Sequence, residues 1–321
     1  MENNRETIVL PYCGPIFALD ISPDGQMLAV GQQSDFSTSH PLLTLWNLPQ
    51  KQLIAELEHM VENSIDAVCF SGDSKLLYYA KNDADYAKVL VYNIELKQHI
   101  VPQQLEAVKV TWLAHAKQAP RLVTAGLLTE IWDTETEERK LQILDYMTFN
   151  RENGKPAVAD LTDDGKTVAV VGKNIDRVHI YEVETGAIVQ TLDGAPRQAQ
   201  WISYSPDERY LAVIDDFRGH FYLWELESGN KISLNGLILG GYELDSFFSL
   251  SFHPSSKYLA LGEWTGDVII IQLSNGEEIA SETLHTGRVY GLAFTPDGKQ
   301  LISGDEGGTI SIWNLEELLQ F

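Results

Sequence analysis

The chain holds four acidic side chains in two short turns, Asp215-Asp216 and Asp305-Glu306, that together could hold a divalent cation and activate a water molecule for hydrolysis. The same residues fit a plainer role, since Asp is favoured in turns by the hydrogen bonds its side chain makes to nearby backbone. Asp83-Ala84-Asp85 opens like a calcium loop, yet Lys88 and Ile94 stand where that loop requires Gly and Glu. His179 and His220 alternate with Tyr181 and with Tyr222 and Trp224, a pattern of separate packed or exposed histidines rather than of a metal pair. Gly-x-x-x-x-Gly-Lys loops, Gly-x-Ser-x-Gly elbows and His-Glu-x-x-His pairs do not occur. No metal, no cofactor and no catalytic residue are therefore expected.

Recognition is the other chemistry on offer. Large rings fall in polar connecting stretches at Phe36, Tyr86, Tyr146, Phe149, Phe217, Tyr242 and Trp264, with Arg218 and Glu306 in equivalent places. Trp, Tyr and Arg are the residue types enriched where binding energy concentrates. These nine residues are the expected partner-binding set.

What positions those turns is a repeat, seen best from Val289 to Leu315. Apolar residues alternate from Val289 to Phe294, Pro296-Asp297-Gly298 makes a turn, and Leu301-Ile302 begins a second run. A Gly-rich turn, Gly304 to Gly308, then precedes the alternating Ile310-Ser311-Ile312-Trp313. The second residue of the first turn recurs at Pro23, Gly72, Asp163, Pro206, Pro254 and Pro296, at intervals of 42 to 49 residues and one interval of 91. The long interval takes in a degenerate unit around Ala116. Two residues before each landmark stands Ile21, Phe70, Leu161, Tyr204, Phe252 or Phe294, one core position repeated. A second column closes each third strand: Trp46-Asn47, Tyr92-Asn93, Trp132-Asp133, Tyr181-Glu182, Trp224-Glu225, Ile271-Gln272 and Trp313-Asn314.

With these two columns the chain resembles the WD-repeat β-propeller family, in degenerate form, because only Trp132-Asp133 is a literal Trp-Asp. The resemblance implies an all-β, seven-bladed propeller of four-stranded antiparallel blades. The blades are expected at about 16–58, 65–101, 107–144, 157–192, 200–234, 248–284 and 289–315, in a single domain. The last unit supplies only three strands, so the strand at 7–10 is expected to complete it and close the ring without a bare edge. The family's buried network uses a His, a Ser or Thr, an Asp and a Trp. Blade seven keeps His285, Ser303 and Trp313 as its structural residues, with Gly307 at the Asp position, so the full network is expected in no blade.

Asp plus Glu number 46 against 23 Lys plus Arg, a formal charge of −23. So acidic a surface repels phosphate backbones, and no basic run exceeds Arg139-Lys140, which excludes nucleic acid as a partner. The first residues, MENNRETIVL, read as neither a secretory signal nor a membrane span. Cys13 and Cys69 lack metal or redox spacing and read as core residues of a reducing compartment, so the cytoplasm is expected. The functional expectation is a non-catalytic scaffold or recognition subunit. It would act as a monomeric ring within a complex, binding a protein or peptide with a basic segment on its loop face. The alternative is a propeller hydrolase or lactonase whose cation is held at the channel mouth by Asp215, Asp216, Asp305 and Glu306.

Overall fold

The computed structural model describes residues 5–9, 14–33, 41–59, 64–82, 87–100, 110–126, 128–144, 157–171, 176–196, 199–215, 220–232, 247–316, 318 and 319. A first strand, β1 (Arg5–Val9), precedes seven repeats. Blade one is β2 (Ile16–Ile21), β3 (Met27–Gln32), β4 (Pro41–Asn47) and β5 (Gln52–His59). Blade two is β6 (Ser64–Phe70), β7 (Leu76–Asn82), β8 (Ala87–Asn93) and β9 (Gln98–Ile100). Blade three is β10 (Val110–His115), β11 (Arg121–Gly126), β12 (Thr129–Asp133) and β13 (Arg139–Ile143). Blade four is β14 (Val158–Leu161), β15 (Thr167–Val171), β16 (Arg177–Glu182) and β17 (Ile188–Asp193). Blade five is β18 (Ala199–Tyr204), β19 (Tyr210–Asp215), β20 (Phe221–Glu225) and β21 (Asn230–Lys231). Blade six is β22 (Phe247–Phe252), β23 (Tyr258–Glu263), β24 (Asp267–Gln272) and β25 (Glu278–Thr283). Blade seven has β26 (Val289–Phe294), β27 (Gln300–Asp305) and β28 (Thr309–Asn314).

Six sheets keep chain order and the seventh runs β1-β28-β27-β26, so the first strand completes the last blade. Its register runs antiparallel from Arg5 opposite Trp313 to Val9 opposite Thr309. Among the described residues the strand covers 5–9, so it begins two residues ahead of the expected 7–10; Leu10 lies outside the described residues. Arg5 extends the closure into blade six, donating from Nη1 to Thr283 O at 3.0 Å and from Nη2 to Leu284 O at 2.9 Å. The first strands of adjacent blades touch in cyclic order, β26 against β2 included, which makes the ring.

The core divides into interfaces between neighbouring blades. Ile21, Trp46 and Leu28 of blade one pack on Ile302, Ile310 and Ile312 of blade seven. Phe294 and Trp313 pack in the same way on Tyr258, Ala260 and Ile270 of blade six. Both repeated columns therefore serve one purpose, gripping the preceding blade. The blades approach closely enough that a Cβ on Gly304 would come within 2.7 Å of Ile16 Cγ2, so only glycine fits there.

The turn between the first two strands is built from its sequence. In Ser22-Pro23-Asp24-Gly25 the serine donates to Asp24 Oδ1 at 2.6 Å, Asp24 accepts Gln26 N at 3.0 Å, and Gly25 takes φ 71°. Thr295-Pro296-Asp297-Gly298 repeats this, with Thr295 Oγ1 to Asp297 Oδ1 at 2.6 Å and Gly298 at φ 73°. Neighbouring turns are also tied together, Asp24 N donating to Ser74 Oγ at 3.1 Å and Asp207 N to Ser256 Oγ at 3.0 Å. In blade three the position equivalent to Ile21 is His115, which pairs with Leu122. Ala116 is one step beyond it.

One expectation about the buried network needs correction. His285 Nε2 lies 2.6 Å from Ser303 Oγ, and His285 Nδ1 lies 3.2 Å from Asp305 Oδ2. Asp305 Oδ1 accepts Gly307 N at 3.0 Å and Thr309 N at 2.7 Å. Blade seven therefore does have a carboxylate in its network, supplied by Asp305 two residues ahead of Gly307. The tight Gly307-Gly308 turn lets an earlier residue reach the same histidine.

Candidate binding face at the channel mouth

The innermost strands of all seven blades line a central channel of about 520 Å³. The first turns stand at one end, with Pro23, Lys117, Asp163, Pro206, Glu208, Pro254 and Pro296 on its wall. The other end, where the innermost strands begin, is the candidate face. In six blades the pairing slips by one residue there, at Phe17, Asp66, Thr111, Gln200, Phe248 and Tyr290. A bulge turns its extra residue out of the regular alternation. A column of side chains is thereby set around the mouth.

Across blades six, seven and one these residues pack on each other. Phe17 meets Tyr290 edge-on at 5.0 Å, and Tyr290 meets Phe248 at 5.5 Å. Arg288 lies 5.7 Å from the Phe248 ring centre and 4.8 Å from that of Trp264. Its Nη1 reaches Tyr290 Oη at 3.2 Å and Glu306 Oε1 at 3.5 Å. A guanidinium between two rings is held by their negative faces as well as by its hydrogen bonds. On the facing side Trp112 and Trp201, from blades three and five, meet edge-on at 4.9 Å beside the short first strand of blade four.

Of the nine expected partner-binding residues, Trp264 and Glu306 belong to this cluster. Trp264 is 38% exposed, and its turn ends at Gly266, with φ 96°. Phe36, Tyr86, Tyr146, Phe149, Phe217, Arg218 and Tyr242 lie outside the described residues. Phe17, Trp112, Trp201, Phe248, Arg288 and Tyr290 were not picked out from sequence. The five rings sit at strand starts, where a ring reads as ordinary core; a bulge turns Phe17, Phe248 and Tyr290, and Arg288 stands one residue ahead of β26.

The four candidate metal-binding acids are not brought together as far as they are described. Asp305 is buried in the His285 network, and Asp215 stands in blade five, 3.5 Å from His220 Nδ1. Asp216 lies outside the described residues. Among the described residues no group of three His, Cys, Asp or Glu is arranged to hold a metal. His179 Nδ1 has its own partner in Thr191 Oγ1 at 3.1 Å. Cys69 is buried, which pushes its thiol well above the usual range. Cys13 is outside the described residues.

Two carboxylates face the channel from opposite parts of the ring. Asp20 accepts Ile21 N at 2.9 Å and, across the blade boundary, Phe70 N at 2.8 Å. Asp160 accepts Leu161 N at 3.0 Å and Tyr204 N at 2.8 Å. Desolvation in the channel wall pushes both up to about 7, against the opposing pull of these amides and of Lys117.

Comparison with known proteins agrees with this architecture. Residues 276–314 match the family described as WD domain, G-beta repeat. The WD repeat-containing protein SL1-17 of Schistosoma mansoni is 32% identical over 106 residues, 33% of this chain and 34% of that protein. The periodic tryptophan protein 2 homolog of Dictyostelium discoideum is 22% identical over 237 residues, 72% of this chain and 24% of that one. This chain is a seven-bladed β-propeller with a match to the WD repeat at residues 276–314. The propeller is also 23% identical over 207 residues to the WD repeat-containing protein VIP3 of Arabidopsis thaliana, covering 60% of this chain and 62% of that one. A chain in the crystal structure of a mitotic checkpoint complex superposes with a TM-score of 0.72 at 16% identity, over 96% of this propeller and 90% of that chain. The matches to the first two relatives span about a third and a quarter of those proteins' lengths.

Proposed function

We propose that this propeller is a protein-interaction scaffold without catalysis of its own, binding a protein or peptide across the channel mouth. The observation that carries this reading is the preformed set of Phe17, Tyr290, Phe248, Arg288 and Trp264. Blade seven makes the turn equivalent to that of Trp264 with Glu306 and glycines, so the bend does not require a ring. An arginine already clamped between rings has little side-chain freedom left to lose on binding. Support at the level of the fold comes from the WD-repeat relatives and from the checkpoint-complex chain, a propeller of similar shape found within an assembly. The −23 charge favours a partner with a basic segment and disfavours nucleic acid. In this reading the ring acts in the cytoplasm as one copy within a larger complex.

The test is affinity capture with the intact chain and with the paired variant Trp264→Ala, Arg288→Ala, each checked by melting temperature. The expected result is a partner held by the parent and lost by a variant that melts normally. Retention with unchanged affinity overturns the placement.

A further inference from the structure

We propose that His253 is an acid-sensitive joint between blades six and seven, a neutral ring that locks their first turns together and is driven from its seat when it takes a proton. It lies at the opposite end of the blades from the channel mouth and stands independently of the binding proposed there.

The histidine interrupts the repeat. In five blades the first turn opens with a hydroxyl that donates to a carboxylate two residues on. Ser22 reaches Asp24 at 2.6 Å, Ser71 Asp73 at 2.7 Å, Thr162 Asp164 at 3.0 Å, Ser205 Asp207 at 2.6 Å and Thr295 Asp297 at 2.6 Å. Blade six has His253-Pro254-Ser255 in those places. The ring closes the turn itself, Nδ1 accepting Ser255 N at 3.1 Å and lying 2.7 Å from Ser255 Oγ. Its other nitrogen crosses the blade boundary, Nε2 lying 3.1 Å from Gly298 O in the first turn of blade seven. A backbone N–H can only donate, so the Ser255 amide fixes Nδ1 as an acceptor. The ring proton is therefore on Nε2 and is donated to Gly298 O, and the imidazole is neutral as seated.

The seat excludes charge. His253 is 2% exposed and meets Phe294 of blade seven edge-on at 5.1 Å and Tyr258 at 5.6 Å. A Cβ on Gly298 would come within 2.3 Å of Nε2, so the ring lies directly on that glycine. A second proton has to go on Nδ1. The Gly298 bond survives it and the Ser255 hydroxyl can turn to accept, but the Ser255 amide is left facing an N–H, and a charge stands among rings. Burial, the largest influence, and Lys257 push the ring below the ordinary 6.5, against the pull of the Gly298 bond and of Asp297. Asp297 is itself engaged by Thr295 Oγ1 at 2.6 Å and Lys299 N at 3.0 Å. The native state thus refuses a proton that the unfolded chain takes up. The joint is whole above 6.5 and loosens as pH falls from there toward the folded value. Asp20 and Asp160, pushed up to about 7, act in the opposite sense, so a global melt mixes the two and only a local readout isolates the joint.

The experiment is amide hydrogen exchange on the full chain at about pH 8 and about pH 5, each corrected for the intrinsic exchange rate. In the parent, residues 253–258 are expected to be protected at the higher pH and to lose that protection at the lower, while the starts of β22 and β26 at the mouth keep theirs. The double variant His253→Ser, Ser255→Asp rebuilds the Ser-Pro-Asp turn of blades one and five and is expected to be protected equally at both. Should it melt abnormally, the parent's own ring decides. Its NMR titration is expected to have a midpoint below 6.5, with Nδ1 bare of a proton above it. Equal protection of the parent at both pH values, the same acid loss in a normally melting variant, or a ring that titrates at or above 6.5 overturns the proposal.

Discussion

His285 and Asp305 form a buried couple in blade seven, Nδ1 to Oδ2 at 3.2 Å, with side chains 0% and 2% exposed. Burial alone would raise the Asp305 carboxyl, but the His285 contact and the Thr309 and Gly307 amides outweigh it and hold the group below the usual carboxylate range. Asp305→Ala leaves His285 facing an empty buried polar site and strips two amides of their acceptor. A loss of about 3 to 5 kcal/mol in denaturant unfolding is expected, the usual cost of removing one partner of a buried pair. A loss within about 0.5 kcal/mol, typical of a surface change, refutes the role given to this residue. Because the carboxyl is depressed, its contribution is present above the ordinary carboxylate range and fades as pH falls through its folded value.

Asp20 and Asp160 have the opposite sign. Their folded values of about 7 lie above the ordinary 3.8, so the native state keeps protons that the unfolded chain gives up between those limits. Stability should therefore decline as pH rises through that window and level off above about 7. The measurement is melting temperature against pH for the parent and for the double variant Asp20→Asn, Asp160→Asn. The variant profile should be flatter across the window, whatever its absolute stability. Parallel profiles would show that these carboxyls ionise normally.

Removal of residues 1–10 should uncover the β28 edge along Thr309 to Trp313 and delete the Arg5 bonds to Thr283 and Leu284. The shortened chain is expected to melt at lower temperature and to aggregate on warming, as light scattering would register. An unchanged melting temperature would mean that β1 does not support the ring.

Much of this architecture was legible before any coordinates. The Pro-Asp-Gly turns are local, since the hydroxyl, carboxylate and left-handed residue that make them lie within four consecutive positions. The two core columns repeat because each blade meets its predecessor in the same way. The channel-mouth cluster was not legible, for a physical reason. A bulge shifts the facing of Phe17, Phe248 and Tyr290 without changing residue types, so period-two alternation places them with the core. Asp305 escaped for a related reason, as the family spacing points to Gly307 while a tight turn lets a residue two places earlier reach His285. Seven of the nine expected contact residues fall in connections outside the described residues, where spacing rules no longer apply.

The closure of the ring by β1 has a mechanical corollary. Among the described residues the boundaries between blades are packed apolar contacts with polar ties such as Phe70 N to Asp20 and Tyr204 N to Asp160, whereas the joint that brings Arg5 opposite Trp313 lies inside a sheet. Prising the ring apart at its covalent gap means peeling a hydrogen-bonded ladder from Arg5 to Val9, so the seam where the chain's two ends meet is built like the middle of a blade rather than like its border.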